Sequence, residues 1–103
     1  MSAHLLVLYG EPKDPTAFER YYRGTHIPIA KTMPGLRSYT INTGPVSTPE
    51  GKAPYFLVAT LEFDSMEAIG AAFASPEGRA AAGDVPNFAT GGVTMVMYET
   101  ESV

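Results

Sequence analysis

With 103 residues, 45% hydrophobic and 17% charged side chains and no low-complexity run, the chain has the composition of one compact domain over residues 1–103, not of a disordered segment. A net charge of −4 with no local cluster of Lys and Arg opposes attraction to phosphate backbones, so no nucleic-acid partner is expected. The absence of cysteine excludes disulfides, thiolate catalysis and Cys-containing metal sites, and fits the reducing cytoplasm where the protein is expected to reside.

Ala3 to Tyr9, AHLLVLY, is apolar almost throughout and closed by Gly10, Pro12 and Pro15. It is too short for a leader or a membrane span and is expected to be the first strand. Asp14 followed by Pro15 gives an N-cap acceptor and a first-turn residue with no N–H to leave unpaired, so a helix is expected to start there. Phe18, Tyr21, Tyr22 and Thr25 supply its core stripe and Gly24 a left-handed end. Pro28 argues that the helix breaks near His26 and restarts as a short piece over Ile29 to Met33. After the Pro34–Gly35 turn, Leu36 to Thr43 reads as a mixed polar and β-branched strand.

Gly44 to Pro54 is the natural loop, and Tyr55 to Phe63 the third strand. Ser65 caps a helix with Met66, Ile69 and Phe73 on one stripe; Ser75 and Pro76 start a last helix that Gly83 is placed to end. Val93 to Glu99 is the fourth strand. The order is β-α-β-β-α-β, an α+β chain whose strands one, three and four are nearly continuous apolar runs. Two helices cover one face of such a sheet, so a second copy of the chain is expected on the other, as a homodimer.

His26 is the ionisable group placed at a structural break. The N–H groups of a helix starting just after it would disfavour imidazolium and hold the ring as a neutral base, while the alternative is that it caps the break. Tyr9, Tyr22, Tyr39 and Phe88 lie at strand ends or helix edges, where they either line a cavity for an apolar ligand or fill the core. Asp84, Asn87 and Phe88 form a polar-aromatic corner whose carboxylate orients His26 or makes a local turn. His4 is expected to be exposed. The two histidines sit on different elements without a third ligand, and no nucleotide-binding or nucleophile motif occurs, so neither metal nor cofactor is expected.

Across FERYYRGTHIPIAKTMPGLRSY and SPEGRAAAGDVPNF the chain resembles the EthD-like family of dimeric α+β barrel proteins. The matching features are the Tyr ending strand one, the Phe and Tyr pair followed by His and Pro, the Pro-Gly before strand two, and the Asp-x-x-Asn-Phe corner. The resemblance implies a ferredoxin-like protomer with an antiparallel four-stranded sheet, helices on one face, a second subunit on the other, and a cavity between sheet and helices. His26 falls at the family's characteristic histidine, and Tyr9, Tyr22, Asp84 and Phe88 fall in matching motifs. The wider superfamily includes cofactor-independent oxygenases, polyketide cyclases, lactone isomerases and haem-degrading enzymes.

The expectation is a cofactor-free enzyme in which His26 moves a proton on a hydrophobic, ring-containing small molecule, in an oxygenation, isomerisation or cyclisation. The alternatives are a non-catalytic binding or accessory dimer module, and a structural dimer whose tyrosines are all core.

Overall fold

The computed structural model describes residues 2–103. Strand β1 (Ala3–Tyr9) is followed by helix α1 (Pro15–Tyr21), a π-helical turn (Tyr22–His26) and the short helix α2 (Ile27–Ala30). Strand β2 (Ser38–Ile41), a two-residue hairpin of β3 (Ser47–Thr48) and β4 (Gly51–Lys52), and strand β5 (Leu57–Phe63) come next. Helices α3 (Met66–Ala74) and α4 (Pro76–Asp84), a 3₁₀ turn (Val85–Asn87) and strand β6 (Val93–Glu99) complete the described chain.

The main sheet runs β2-β5-β1-β6, antiparallel throughout, which is the ferredoxin-like arrangement. Strand β1 is central because its AHLLVLY sequence can serve two neighbours at once, and all seven of its residues pair with both β5 and β6. Period-two alternation then sorts the side chains: Ala3, Leu5, Val7 and Tyr9 are buried with Leu57, Ala59, Leu61 and Phe63 beneath the helices. Leu6, Leu8 and Val58 point to the opposite face and are half-buried, with Leu8 opposite Val58 and Leu6 opposite Val96 of β6. The nearly continuous apolar runs therefore divide into a face this chain covers and a face it leaves open. All seven residues of β6 are exposed.

The helix starts follow from local chemistry. Asp14 accepts from the Ala17 N–H at 3.1 Å, with Pro15 at the first helical position. Ser65 and Ser75 repeat the device toward Ala68 and Gly78, each at 3.0 Å. Gly78 also lets α4 fold back on α3, since a Cβ there would collide with the Ala72 carbonyl.

Several boundaries differ from the sequence reading. Gly24 does not end the first helix, because the backbone stays right-handed past it and the Ile27 N–H reaches back five residues to the Tyr22 carbonyl. This widened turn carries the chain into Pro28, which has no N–H to give the preceding turn and whose ring would crowd an ordinary one. The extra residue also turns the core stripe: Phe18 and Tyr22 are buried as expected, but Thr25 is exposed and His26 takes the inward position. Gly83 does not end α4 either; the chain continues right-handed through Asp84 into the 3₁₀ turn. The second helical piece is Ile27–Ala30 and not Ile29 to Met33, since no break has to be bridged before it. The second strand is shorter than Leu36 to Thr43, the third begins at Leu57 and not at Tyr55, and the loop from Gly44 to Pro54 contains the small hairpin.

Candidate functional site

Beneath the sheet, rings from four parts of the chain pack against one another. Phe18 and Tyr22, one turn apart, lie nearly parallel with centroids 5.6 Å apart. Tyr9 meets both edge-on at 5.5 and 5.7 Å. Phe88 lies 5.4 Å from Tyr9 and 4.6 Å from the His26 imidazole. Each such contact adds roughly 0.5–1.5 kcal/mol beyond the area it buries, so the rings hold His26 firmly as well as keeping it dry.

His26 is 5% exposed, and its Nδ1 lies 2.9 Å from Oδ2 of Asp84. The other carboxylate oxygen accepts from the Tyr21 hydroxyl at 2.6 Å and from the Asn87 side-chain amide at 3.0 Å. Three donors thus converge on Asp84. Burial alone would raise its pKa, but the bonds from Tyr21, His26 and Asn87 outweigh that and hold it below the ordinary carboxylate value. Burial lowers the pKa of His26, with Asp84 opposing, so the imidazole is neutral at pH 7. An ionised carboxylate only accepts, which puts the proton on Nδ1 and leaves the Nε2 lone pair free. A neutral imidazole is expected from the sequence on the N–H groups of a restarting helix; the helix is continuous there, and burial is the cause instead.

His26, Tyr9, Tyr22 and Tyr39 line one cavity, with Leu5, Val7, Leu61, Met33 and Ala81 among its apolar walls. The Tyr22 and Tyr39 hydroxyls are 2.6 Å apart. That bond uses one O–H, whichever residue donates, so one hydroxyl hydrogen of the pair stays available. The Tyr9 hydroxyl has no hydrogen bond among the described residues although the residue is 1% exposed. Burial raises the pKa of all three phenols, and neighbouring Tyr39 pushes Tyr9 and Tyr22 higher still, so each remains a donor at neutral pH. The site offers one base and two O–H donors in an apolar chamber.

Of the residues singled out in the sequence, His26, Tyr9, Tyr22 and Tyr39 meet at the cavity, while Asp84 and Phe88 stand behind the imidazole and not on the cavity wall. His4 is half-buried on the open face, its Nε2 3.9 Å from Glu62 and its ring edge-on to Tyr98. The sequence reading sets Asn87 in one corner with Asp84 but does not identify Tyr21 as a partner of that carboxylate. The Asp-x-x-Asn spacing carried the signal for Asn87; the five-residue separation of Tyr21 from His26 aligns them only because of the π-helical turn. Among the described residues no three His, Asp or Glu side chains cluster to hold a metal ion, and no helix is long and apolar enough to cross a membrane.

A ferredoxin-like α+β domain with a buried imidazole–carboxylate pair and a phenol-lined cavity under its sheet is the class that fold and site define. Within it the chain belongs to the EthD family, whose domain matches residues 10–92. It is 40% identical over 98 residues to an uncharacterised 11.0 kDa protein of the thcB–thcC intergenic region of Rhodococcus erythropolis, covering 94% of this chain and 93% of that one. An EthD family protein from Bacillus halodurans superposes with a TM-score of 0.88 at 31% identity, covering 98% of this chain and all of the other. SnoaB of Streptomyces nogalater, described as a cofactor-independent oxygenase, shares the fold alone: TM-score 0.69, 15% identity, 99% and 95% coverage.

Proposed function

We propose that this protein is a cofactor-independent enzyme that removes a proton from an oxygen-bearing, largely apolar small molecule, with Nε2 of His26 as the base. The observation that carries this reading is the pairing of a neutral, Asp84-anchored imidazole with phenol O–H groups of Tyr9 and of the Tyr22–Tyr39 pair in one cavity. A C–H or O–H bond of the substrate breaks, the proton goes to Nε2, and the electron pair stays on the substrate as an enolate or phenolate. Its oxygen then accepts from the phenols, which act where the charge develops. Asp84 does not touch the substrate; it fixes the tautomer and offsets the imidazolium charge as that charge appears. SnoaB's description supports the oxygenase variant of this chemistry on the same fold.

Proton removal can be read without knowing the final product. In D2O, the protein is incubated with a panel of 1,3-dicarbonyl and hydroxylated aromatic compounds, and C–H to C–D exchange is followed by NMR. The expected result is exchange next to the carbonyl or ortho to the hydroxyl that is lost in His26→Gln. Exchange undiminished in that variant removes the base role, and a ligand retained but never exchanged makes the chain a binding protein.

We also infer a homodimer formed through the open face of the sheet. Leu6, Leu8, Val58, Val96 and Tyr98 give that face an apolar centre without a cover in the protomer, which is how a face buried between two sheets reads.

A further inference from the structure

Two features of the molecule have no part in the proton transfer proposed for His26. The cavity is small, about 30 Å3. That admits one or two water-sized groups, whereas an apolar cavity that takes benzene is on the order of 150 Å3. The second feature is the exposed apolar row on the helix side of β6. Val93, Met95 and Met97 pair with Tyr9, Val7 and Leu5 and so share the covered side of the sheet, yet they are 41%, 39% and 45% exposed.

The two features join at Met95, which lines the cavity and is also part of the row. The exposed Ala82 and half-buried Phe73 line the cavity as well, so the chamber opens between β6 and the α3–α4 pair. A molecule reaching the polar end through this mouth must lie across Met95.

We propose that the cavity admits only the head of its ligand, a single phenolic or enolic oxygen and the carbon that bears it, while the apolar body that carries this head lies outside on the Val93, Met95 and Met97 row. The head is selected by size and by the O–H groups of Tyr9 and the Tyr22–Tyr39 pair. The body is held by apolar contact alone, so its substitution pattern is read loosely. The row lies on the side of the sheet away from the open face, so a dimer through that face leaves it free. The inference rests on the base role of His26 but adds a claim of its own, namely where the rest of the molecule lies.

The test uses 2-naphthol, 2-methoxynaphthalene and phenol as probes of the full chain, with binding followed by NMR titration of the His26 imidazole and the methionine methyl groups. The expected result is one 2-naphthol per chain and at least tenfold weaker binding of the methoxy compound, which lacks the O–H and adds a methyl group to the head. In Val93→Ser/Met97→Ser, 2-naphthol is expected to weaken about tenfold, the effect of losing roughly 50 Å2 of apolar contact, with phenol unchanged within twofold. Equal binding of the methoxy compound overturns the head selection. Unchanged 2-naphthol binding in the double variant, or loss of dimer in place of loss of 2-naphthol, overturns the row as the body's site. Failure of every probe at millimolar concentration overturns both parts. The base role is judged separately by C–H exchange in His26→Gln, so either claim can fall without the other.

Discussion

Replacing Asp84 by Asn keeps the shape of the side chain and removes its charge, which makes it the sharpest probe of the imidazole's anchoring. The carboxylate receives three donors: His26 Nδ1 on one oxygen, and the Tyr21 hydroxyl and Asn87 amide on the other. Asparagine has one acceptor oxygen for both sides. If that oxygen faces His26, its NH2 group confronts the Asn87 amide and those two donors repel; if the side chain flips, Nδ1 must accept and the ring proton moves to Nε2, where the lone pair was. Either way one buried bond to a charged acceptor is lost without replacement, at a cost of about 1.5–3 kcal/mol. Against a total stability of about 5–15 kcal/mol for an ordinary domain, that loss is well within the range of urea denaturation. Long-range ¹H–¹⁵N NMR of the imidazole nitrogens reports the tautomer directly. The expected outcome is a protein that still folds, loses stability by that amount, and shows a mixed or reversed tautomer in place of a single Nδ1–H form. An unchanged tautomer together with a stability loss below about 0.5 kcal/mol would refute the anchoring argument.

Phe18→Ala empties the centre of the aromatic cluster and should cost about 3–5 kcal/mol by urea denaturation. Gly78→Ala forces α4 away from the Ala72 carbonyl and should cost about 1–3 kcal/mol by the same measure, a loss that would be absent if the α3–α4 approach were loose. Because burial holds the His26 pKa below the ordinary 6.5, the unfolded chain takes up the proton first. The contribution of His26 to stability is therefore complete above pH 6.5 and declines as the pH falls, by at most about 1.4 kcal/mol per pH unit. The lowered pKa of Asp84 adds a second loss below its ordinary 3.8. Urea midpoints from pH 7.5 to 5 check the first loss, and His26→Gln should flatten the curve. Leu6→Glu places a charge at the centre of the open face. If the unsubstituted chain is the dimer inferred above, the variant should be monomeric in sedimentation equilibrium; a variant that remains dimeric would place the contact elsewhere.

The sheet was legible in the sequence because its signals are local. Apolar runs bounded by Gly and Pro mark strands wherever they finally pair, and the Asp14–Pro15 and Ser75–Pro76 caps act within a single turn. The gathering of Tyr9, Tyr22, Tyr39 and His26 could be suggested from their positions at strand ends and on one helix side, since those elements meet under the sheet. What escaped were features that depend on helical phase. Gly24 and Pro28 are strong breakers by composition, yet a turn with one extra residue lets the chain accept both, and the buried stripe passes from Thr25 to His26. Tyr21 reads as core by its helical spacing, and its bond to Asp84, 63 residues away, follows from the close packing of two helices that no local pattern encodes.

That extra residue sets a rule about length. The widened turn is what keeps Tyr21 and His26, five apart, on one face, because an ordinary helical turn aligns residues three or four apart. A one-residue deletion between them leaves them four apart, a spacing an ordinary turn aligns, and its cost is the Pro28 ring brought against the tightened turn before it. A one-residue insertion sets them six apart, a spacing that neither kind of turn aligns, and parts the imidazole from its carboxylate. Arg23, Gly24 and Thr25 face solvent, so substitutions there other than proline should be mild. Insertions should therefore be more damaging than deletions in this stretch, an asymmetry that a mutational scan would expose.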